Sequence, residues 1–159
     1  LPSDRGLLKF PSKPLEGNIQ TALLFCDLYY LTLKQDYRDR AEGTIQYVLG
    51  SSGPLPIALT GLVVNRFHRY PVHIVIIGVR DRPETQKLFQ EGLRLYSPGK
   101  IVRSFDPHHD TLKLGEITFP KIDESTAYIC TDKLCSAPVS DSKKLYPALT
   151  ELLKNLNAT

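Results

Sequence analysis

Two cysteines five positions apart are the residues best suited to chemistry in this chain. Cys130 ends a short run of strand-forming residues, 126–130, and Cys135 follows after four residues. Thiols at this spacing could form a redox disulfide or half of a metal site, because a deprotonated sulfur is both a nucleophile and a ligand. The alternative is structural. Cys130 would fill core space beside Tyr128 while Cys135 orders a loop, and this is the favoured interpretation because burial lowers the thiolate fraction.

The structural interpretation has a chemical consequence. Cys130 and Cys135 are expected to remain separate thiols, with Cys135 the more accessible and Cys130 reactive only on unfolding. A zinc site would need two more ligands, and neither Cys26 nor any of the four histidines lies at the usual paired spacing. No metal site is therefore predicted.

The histidines suggest no ligand cluster. His108-His109-Asp110 follows Asp106-Pro107 in a polar stretch, and adjacent histidines in a turn rarely point at one ion. A solvent-exposed loop is expected there. His73 lies inside a predicted buried strand and is interpreted as a satisfied core or edge histidine.

A second candidate site, for an anion, consists of Gly78, Arg80 and Arg82. These residues lie between a predicted strand and a helix that begins at Pro83, where open α/β sheets bind ligands. Helix N-terminal amides and the two guanidinium groups could hold an anion. No glycine-rich nucleotide motif and no Walker lysine motif accompanies them, and Glu84 adds negative charge. An ordinary capped turn is therefore favoured, and no cofactor is predicted.

The composition limits partners and location. Twenty basic and 17 acidic residues are well mixed, which gives no stripe for a phosphate backbone, so no nucleic-acid partner is expected. No apolar run approaches the ~18 residues of a membrane span. Three cysteines do not make a disulfide framework, so a reducing, cytoplasmic compartment is expected. Because the chain begins Leu1-Pro2-Ser3 and lacks methionine, we expect that upstream residues are missing, and the organelle is left open.

The elements that would position these residues begin with a helical segment, residues 1–70. After an irregular lead-in, apolar residues recur at helical spacing and predict three amphipathic helices, over residues 17–34, 37–49 and 54–67.

Caps and apolar stripes follow from the same pattern. Asn18 and Asp36 are predicted to cap the first two helices, and Gly50 to end the second in the left-handed conformation. The residues predicted to face inward are Ile19, Ala22, Leu23, Cys26, Tyr29, Tyr30 and Leu33 in the first helix, Tyr37, Ala41, Ile45 and Val48 in the second, and Leu55, Ala58, Leu59, Leu62 and Val63 in the third.

Residues 71–159 are predicted to form a small α/β domain. Residues 72–77 are an apolar, β-branched run typical of a strand buried in a parallel sheet. With a helix over 83–96 and a strand over 101–105 they form a right-handed crossover unit. A short strand near 117–119, a strand over 126–130 and a closing helix over 142–156 complete the domain. Pro147 either lies close to the start of that helix or kinks it.

Two segments together resemble one family. They are Glu16-Gly17-Asn18 with Asp36-Tyr37-Arg38-Asp39-Arg40-Ala41-Glu42, and His73-Ile74-Val75-Ile76-Ile77-Gly78 with Asp81-Arg82-Pro83-Glu84-Thr85, Ala127-Tyr128-Ile129-Cys130 and Cys135-Ser136-Ala137-Pro138-Val139-Ser140-Asp141. Over nearly its whole length the chain is similar to the C-terminal portion of the thioredoxin-domain-containing family typified by spermatogenesis-associated protein 20. The most specific element is the tyrosine strand with Cys-x4-Cys and Ala-Pro-Val.

The resemblance implies a parent protein with a thioredoxin-like domain, a toroid of paired helices similar to sugar epimerases, and a small α/β end piece. This chain would hold the end of the α/α toroid and the end piece, which we expect to be a three-layer α/β domain with a mostly parallel sheet. The thioredoxin Cys-x-x-Cys motif is absent, and Pro14-Leu15-Glu16 replaces the family's small-residue run. Neither that domain's redox activity nor a toroid-pocket role is therefore carried over.

The sequence favours a non-catalytic C-terminal structural or interaction module. Residues 17–67 would pack against the remainder of the parent polypeptide or another protein chain, because their apolar stripes exceed what the α/β domain needs, and a homo-oligomer is a further option. One alternative is part of a sugar-epimerase-like enzyme whose pocket lies upstream. The other is a thiol-redox module using Cys130 and Cys135. No serine nucleophile motif and no carboxylate pair supports catalysis by this chain on its own.

Overall fold

The structure is a computed structural model that describes residues 14–157. The chain separates into two compact units. Within the described residues, the first comprises 14–29 and 34–68, and the second comprises 30–33 and 69–157.

Three helices build the described part of the first unit. They are α1 (Leu15–Thr32), whose last residues count with the second unit, α2 (Gln35–Leu49) and α3 (Ile57–His68). Most of the predicted inward stripes of α1 and α2 is confirmed, because Ile19, Ala22, Cys26, Ala41, Ile45 and Val48 belong to the core of this unit, whereas Leu33 lies beyond the end of α1. The stripe of α3 is partly wrong, since Ala58 and Leu62 are exposed.

The predicted helix ends need correction. Asn18 is not an N-cap, since it lies inside the first turn of α1 and its side-chain amide donates to the carbonyl of Pro14 at 2.8 Å. Lys34 occupies the N-cap position of α2, and Asp36 instead accepts from Arg40 one turn later at 2.9 Å. Gly50 has a φ of −81°, so it ends α2 in the right-handed region. The periodicity of apolar residues predicts that a helix exists. The residues at which it begins and ends depend on which nearby groups bond to the backbone of its first and last turns.

The second unit contains the elements β1 (Val72–Ile77), α4 (Pro83–Arg94), β2 (Lys100–Phe105), β3 (Lys113–Leu114), β4 (Ile117–Thr118), β5 (Thr126–Cys130) and α5 (Leu145–Asn157). The sheet order is β2-β1-β5, with β3 and β4 forming a separate hairpin. The pair β1 and β2 is parallel, as the crossover unit predicted, but β5 is antiparallel to β1. The sheet is therefore mixed rather than mostly parallel. The three-layer and toroid parts of the prediction stay predictions.

The two faces of this sheet pack against different partners. One face, which includes Ile74, Ile76 and Ile129, packs with residues of α4 and α5 such as Leu88 and Leu149. The other face carries Val75, Ile77, Tyr128 and Cys130 and packs with Leu114 and Phe119 from the region of the short hairpin. The strand β1 is buried along its whole length, as its β-branched run predicts.

Two local devices fix the helices of this unit. Lys100 donates to the backbone carbonyls of Gly92 and Leu93, both at 2.8 Å, so a cation occupies the C-terminal end of α4. Asp141 accepts from the Lys143 amide at 3.0 Å and so caps the short 3-10 turn that precedes α5. Since α5 begins at Leu145, Pro147 lies in its first turn, where a missing N–H costs no helical bond.

Among residues 14–157, every helix is too short or too polar to traverse a bilayer.

Candidate functional site around Cys130 and Cys135

Three residues form one row across the sheet of the second unit. His73 in β1 is the Cα partner of Cys130 in β5, and Cys130 is bridged on its other side to Cys135. Residues directly opposite each other on antiparallel strands point to the same face, with Cβ atoms about 4.5–5.5 Å apart. The sheet therefore aligns an imidazole with two sulfurs.

The two cysteines are joined by a disulfide bond, with a Cα–Cα distance of 4.0 Å. Thr131 builds the turn between them, since its amide donates to the Leu134 carbonyl at 2.8 Å and its hydroxyl accepts from the Leu134 amide at 3.2 Å. On the other side of the bond, the Ser136 amide donates to the Ile129 carbonyl at 2.7 Å. These bonds flank Cys130 and Cys135 but do not join them, so the cysteines form a non-hydrogen-bonded pair, the arrangement that brings side chains closest.

The expectation of two separate thiols is wrong, because the sulfurs are bonded. Sequence spacing could not show that a tight turn folds residue 135 back beside residue 130. The expected order of accessibility is confirmed, since Cys130 is fully buried and Cys135 is exposed. The third cysteine, Cys26, is a free thiol in the core of the first unit, where burial raises its pKa to about 11.

His73 is the polar residue that this row buries most deeply. It is 0% exposed, and neither ring nitrogen has a hydrogen-bond partner in the described part of the chain. The backbone of Tyr30 favours its protonated form. Desolvation dominates and lowers the pKa of His73 to about 4, with Arg103 adding to the decrease. The ring is therefore neutral at physiological pH, and the prediction of a satisfied histidine is wrong.

A groove opens beside the disulfide. Its cavity of about 290 Å³ lies between the segment that carries Cys135 and the helix α5, and its lining includes Ser136, Pro138, Ala148 and Glu151. The segment that carries Cys135 runs along the edge of β5 that faces away from β1. Ala127 of β5 and Val139 of this segment exchange two backbone hydrogen bonds, at 2.8 and 2.9 Å. Cys135 contributes to this lining, while its sulfur is bonded to Cys130 on the face of the sheet opposite α5.

The anion candidates meet protein acceptors instead of converging on one point. Arg80 pairs with Asp110 at 3.0 Å, and Arg82 donates to the Asp123 carbonyl at 2.7 Å. Gly78 serves packing, since a Cβ there would lie 2.5 Å from the hydroxyl oxygen of Thr85. A cavity of about 480 Å³ lined by Arg80, Thr85, Gln86, Phe89, Gln90, Val102 and Ser104 adjoins this turn. An anion would have to compete with the carboxylate of Asp110, and the anion site stays a prediction.

The histidine pair lies in the loop after β2. The Asp106 carboxylate accepts from the His108 amide at 2.9 Å, and this bond lowers the pKa of Asp106. Asp110 accepts from the Asp106 amide at 2.8 Å, which together with Arg80 lowers the pKa of Asp110. These carboxylates therefore hold the loop together. Across residues 14–157, no group of three or more His, Cys, Asp and Glu side chains is placed to hold a metal ion.

Comparisons of the chain with protein-family models, with curated proteins and with solved structures give no match. The resemblance drawn from the sequence motifs therefore stays a prediction, and function has to be argued from the site itself.

Sequence reasoning identified both cysteines and kept a disulfide between them as an alternative, but it favoured separate thiols and missed the place of His73 in the row. The alternation of side chains in the two strands was a usable signal. It places His73 on the same face as Val75, and Cys130 on the same face as Tyr128. What the sequence lacked was the pairing of the two strands, which alone makes His73 and Cys130 neighbours.

Proposed function

We propose that the second unit is a thiol–disulfide redox module whose reversible bond joins Cys130 and Cys135. The observation that carries this proposal is the disulfide itself, which joins a buried cysteine, Cys130, to an exposed one, Cys135. An exposed sulfur can be attacked by an incoming thiolate, and the buried sulfur is then the leaving group.

Two further features support redox exchange over a purely structural bond. The bond closes a loop of only a few residues, for which the entropic model gives a stabilisation of about 2 kcal/mol, near the low end for disulfides. Cys130 is already held by β5 and by the core around Tyr128, so the strand does not need a covalent link to stay in place. If the chain occupies the reducing compartment that its cysteine content suggests, a disulfide there would be transient or redox-sensing.

The test is a redox titration of the whole chain. The chain is equilibrated in glutathione buffers of defined potential, its thiols are alkylated, and the oxidised fraction is read from the intact mass. The bond should show a two-electron transition with a midpoint potential above about −300 mV, whereas structural disulfides have midpoint potentials below that value. Cys26→Ser is the matched background, because it removes the remaining thiol and keeps the bond. A bond that stays oxidised throughout this range, or two thiols that never pair under oxidising buffers, would contradict the proposal.

A non-catalytic interaction module remains the second candidate, carried by the exposed face of α3. Ile57 is 84% and Leu62 54% exposed, and Ala58 and Gly61 lie on the same helix face. The stripe invoked from the sequence is largely buried inside the first unit, so these residues replace it as the docking surface. The occupant we propose is an apolar helix of the parent polypeptide that the family resemblance implies.

The interaction candidate predicts that the isolated chain binds a hydrophobic dye and self-associates through this face. A double variant, Ile57→Glu with Leu62→Glu, should lose both properties in sedimentation and fluorescence measurements while keeping its helical circular dichroism. Leu93→Glu in α4, whose parent residue is 55% exposed, is the matched control. A compact monomer without dye binding would exclude this candidate and leave the redox proposal untouched.

A further inference from the structure

We infer that His73 is the hydrogen-bond donor that stabilises the Cys130 thiolate when the disulfide is opened. The inference rests on the proposed redox function and names the group that would make Cys130 a competent leaving group. It stands on the alignment of His73, Cys130 and Cys135 in one row of the sheet and on the two unpartnered ring nitrogens of a fully buried imidazole.

The geometry decides which sulfur is attacked. Cys135 is an exposed residue and Cys130 is 0% exposed, so an external thiolate reaches the Cys135 sulfur. The leaving sulfur is then always that of Cys130, which emerges as an anion in an apolar environment. A buried anion without a hydrogen bond is costly, and its partner must come from the same face of the sheet. His73 lies directly opposite.

The exchange balances with a dithiol as reductant. One thiolate of the dithiol attacks the Cys135 sulfur, the bond between Cys135 and Cys130 breaks, and the electron pair stays on Cys130. The second thiol of the dithiol loses its proton and attacks the mixed disulfide, which releases the oxidised dithiol and Cys135 as a thiolate. Both cysteines take up the protons that the dithiol lost, so two electrons and two protons are transferred in total.

His73 is suited to donate in its neutral form. A neutral imidazole carries one N–H donor, and with no partner in the oxidised state this donor is available to the new thiolate. The charged groups that act on His73 are Arg103 from β2 and Asp132 from the turn after β5, which have opposite effects on its protonation. Arg103 itself donates to the Leu31 carbonyl, while its Nε has no partner among the described residues. The positive charge of Arg103, on the same face of the sheet, would also favour a thiolate.

The first experiment compares the rates at which dithiothreitol reduces the disulfide. His73→Leu should slow reduction by about tenfold, since hydrogen bonds to charged groups are worth about that factor or more. His73→Gln keeps an N–H donor and should recover most of the rate. His109→Ala, in the loop after β2, is the matched control and should react like the parent chain. Equal rates for the Leu and Gln variants, both folded, would overturn the inference.

A measurement on the unmodified chain covers the case in which His73→Leu does not fold. Nitrogen-15 NMR of the histidine rings in the reduced chain, followed from neutral pH to a pH at which Cys130 is a thiolate, should show that one ring nitrogen of His73 gains a hydrogen bond as the thiolate forms. An unchanged His73 spectrum would overturn the inference. Because dithiothreitol forces reduction even of a structural bond, these results can be read whether or not the midpoint potential supports the redox function. The two proposals therefore fail separately.

Discussion

Replacing Gly78 by alanine tests whether the turn after β1 is built for packing or for a ligand. A Cβ at this position would lie 2.5 Å from the Thr85 hydroxyl oxygen, 2.9 Å from the Ser125 hydroxyl oxygen and 3.2 Å from the Ser125 Cα. Ordinary contacts begin at 3.4 Å, so one of these groups must move. The two hydroxyls share a buried hydrogen bond of 2.7 Å, which such a movement would break.

The expected loss can be worked from these contacts. Overpacking costs about 1–3 kcal/mol and the lost hydrogen bond about 1 kcal/mol, while alanine restricts the unfolded chain and offsets about 0.4–1 kcal/mol. We therefore expect a net loss of about 1–3.5 kcal/mol for Gly78→Ala. Backbone strain adds nothing, because Gly78 is not one of the glycines with a positive φ in the described chain, which are Gly99 and Gly115. Urea unfolding followed by circular dichroism measures the change.

A double-mutant cycle identifies the cause. In a Thr85→Ala background the closest contact is gone, so Gly78→Ala should cost clearly less than it does in the parent chain. An equal cost in both backgrounds would refute the argument from the Thr85 contact. A Gly78→Ala chain as stable as the parent would refute the packing role altogether.

Three further predictions concern the same unit. Ile76→Asp should abolish cooperative unfolding of the second unit. Ile76 is 0% exposed, and an unpartnered buried charge costs several kcal/mol against a total free energy of unfolding of about 5–15 kcal/mol. A cooperative melt near the parent temperature would contradict this prediction. Reducing the bond between Cys130 and Cys135 should lower stability by about 2 kcal/mol in urea titrations with and without dithiothreitol, and a loss of more than twice that would mean a structural staple. The depressed pKa of His73, about 4 against 6.5, means that the unfolded chain binds a proton between those pH values and the native chain does not. Stability should therefore fall as pH drops from 6.5 to 4, by about 3 kcal/mol at most, and His73→Gln should flatten that slope.

The sequence predicted most of the elements because their signals are local. The β-branched run of β1 and the apolar stripes of α1 and α2 require no knowledge of the rest of the chain. The direction of β5 could not be predicted in the same way. The connection from residue 106 to residue 125 is long and polar, and nothing in it fixes whether the next strand returns parallel or antiparallel. In the folded chain the residues after the short hairpin pack against β5, with the ring centroids of Phe119 and Tyr128 5.3 Å apart.

The candidate site shows the same limit at the level of single residues. Taken separately, Cys130, Cys135 and His73 each have an ordinary explanation as a core thiol, a loop residue and a strand histidine. The antiparallel pairing of β5 with β1 places His73 beside Cys130, and the turn built by Thr131 places Cys135 on the other side. Had β5 run parallel to β1, the end of the strand that carries Cys130 would lie at the opposite end of β1 from His73. The proposed exchange at Cys130 and Cys135 therefore depends on the direction of β5, a feature of the sheet that the periodicity of the sequence does not encode.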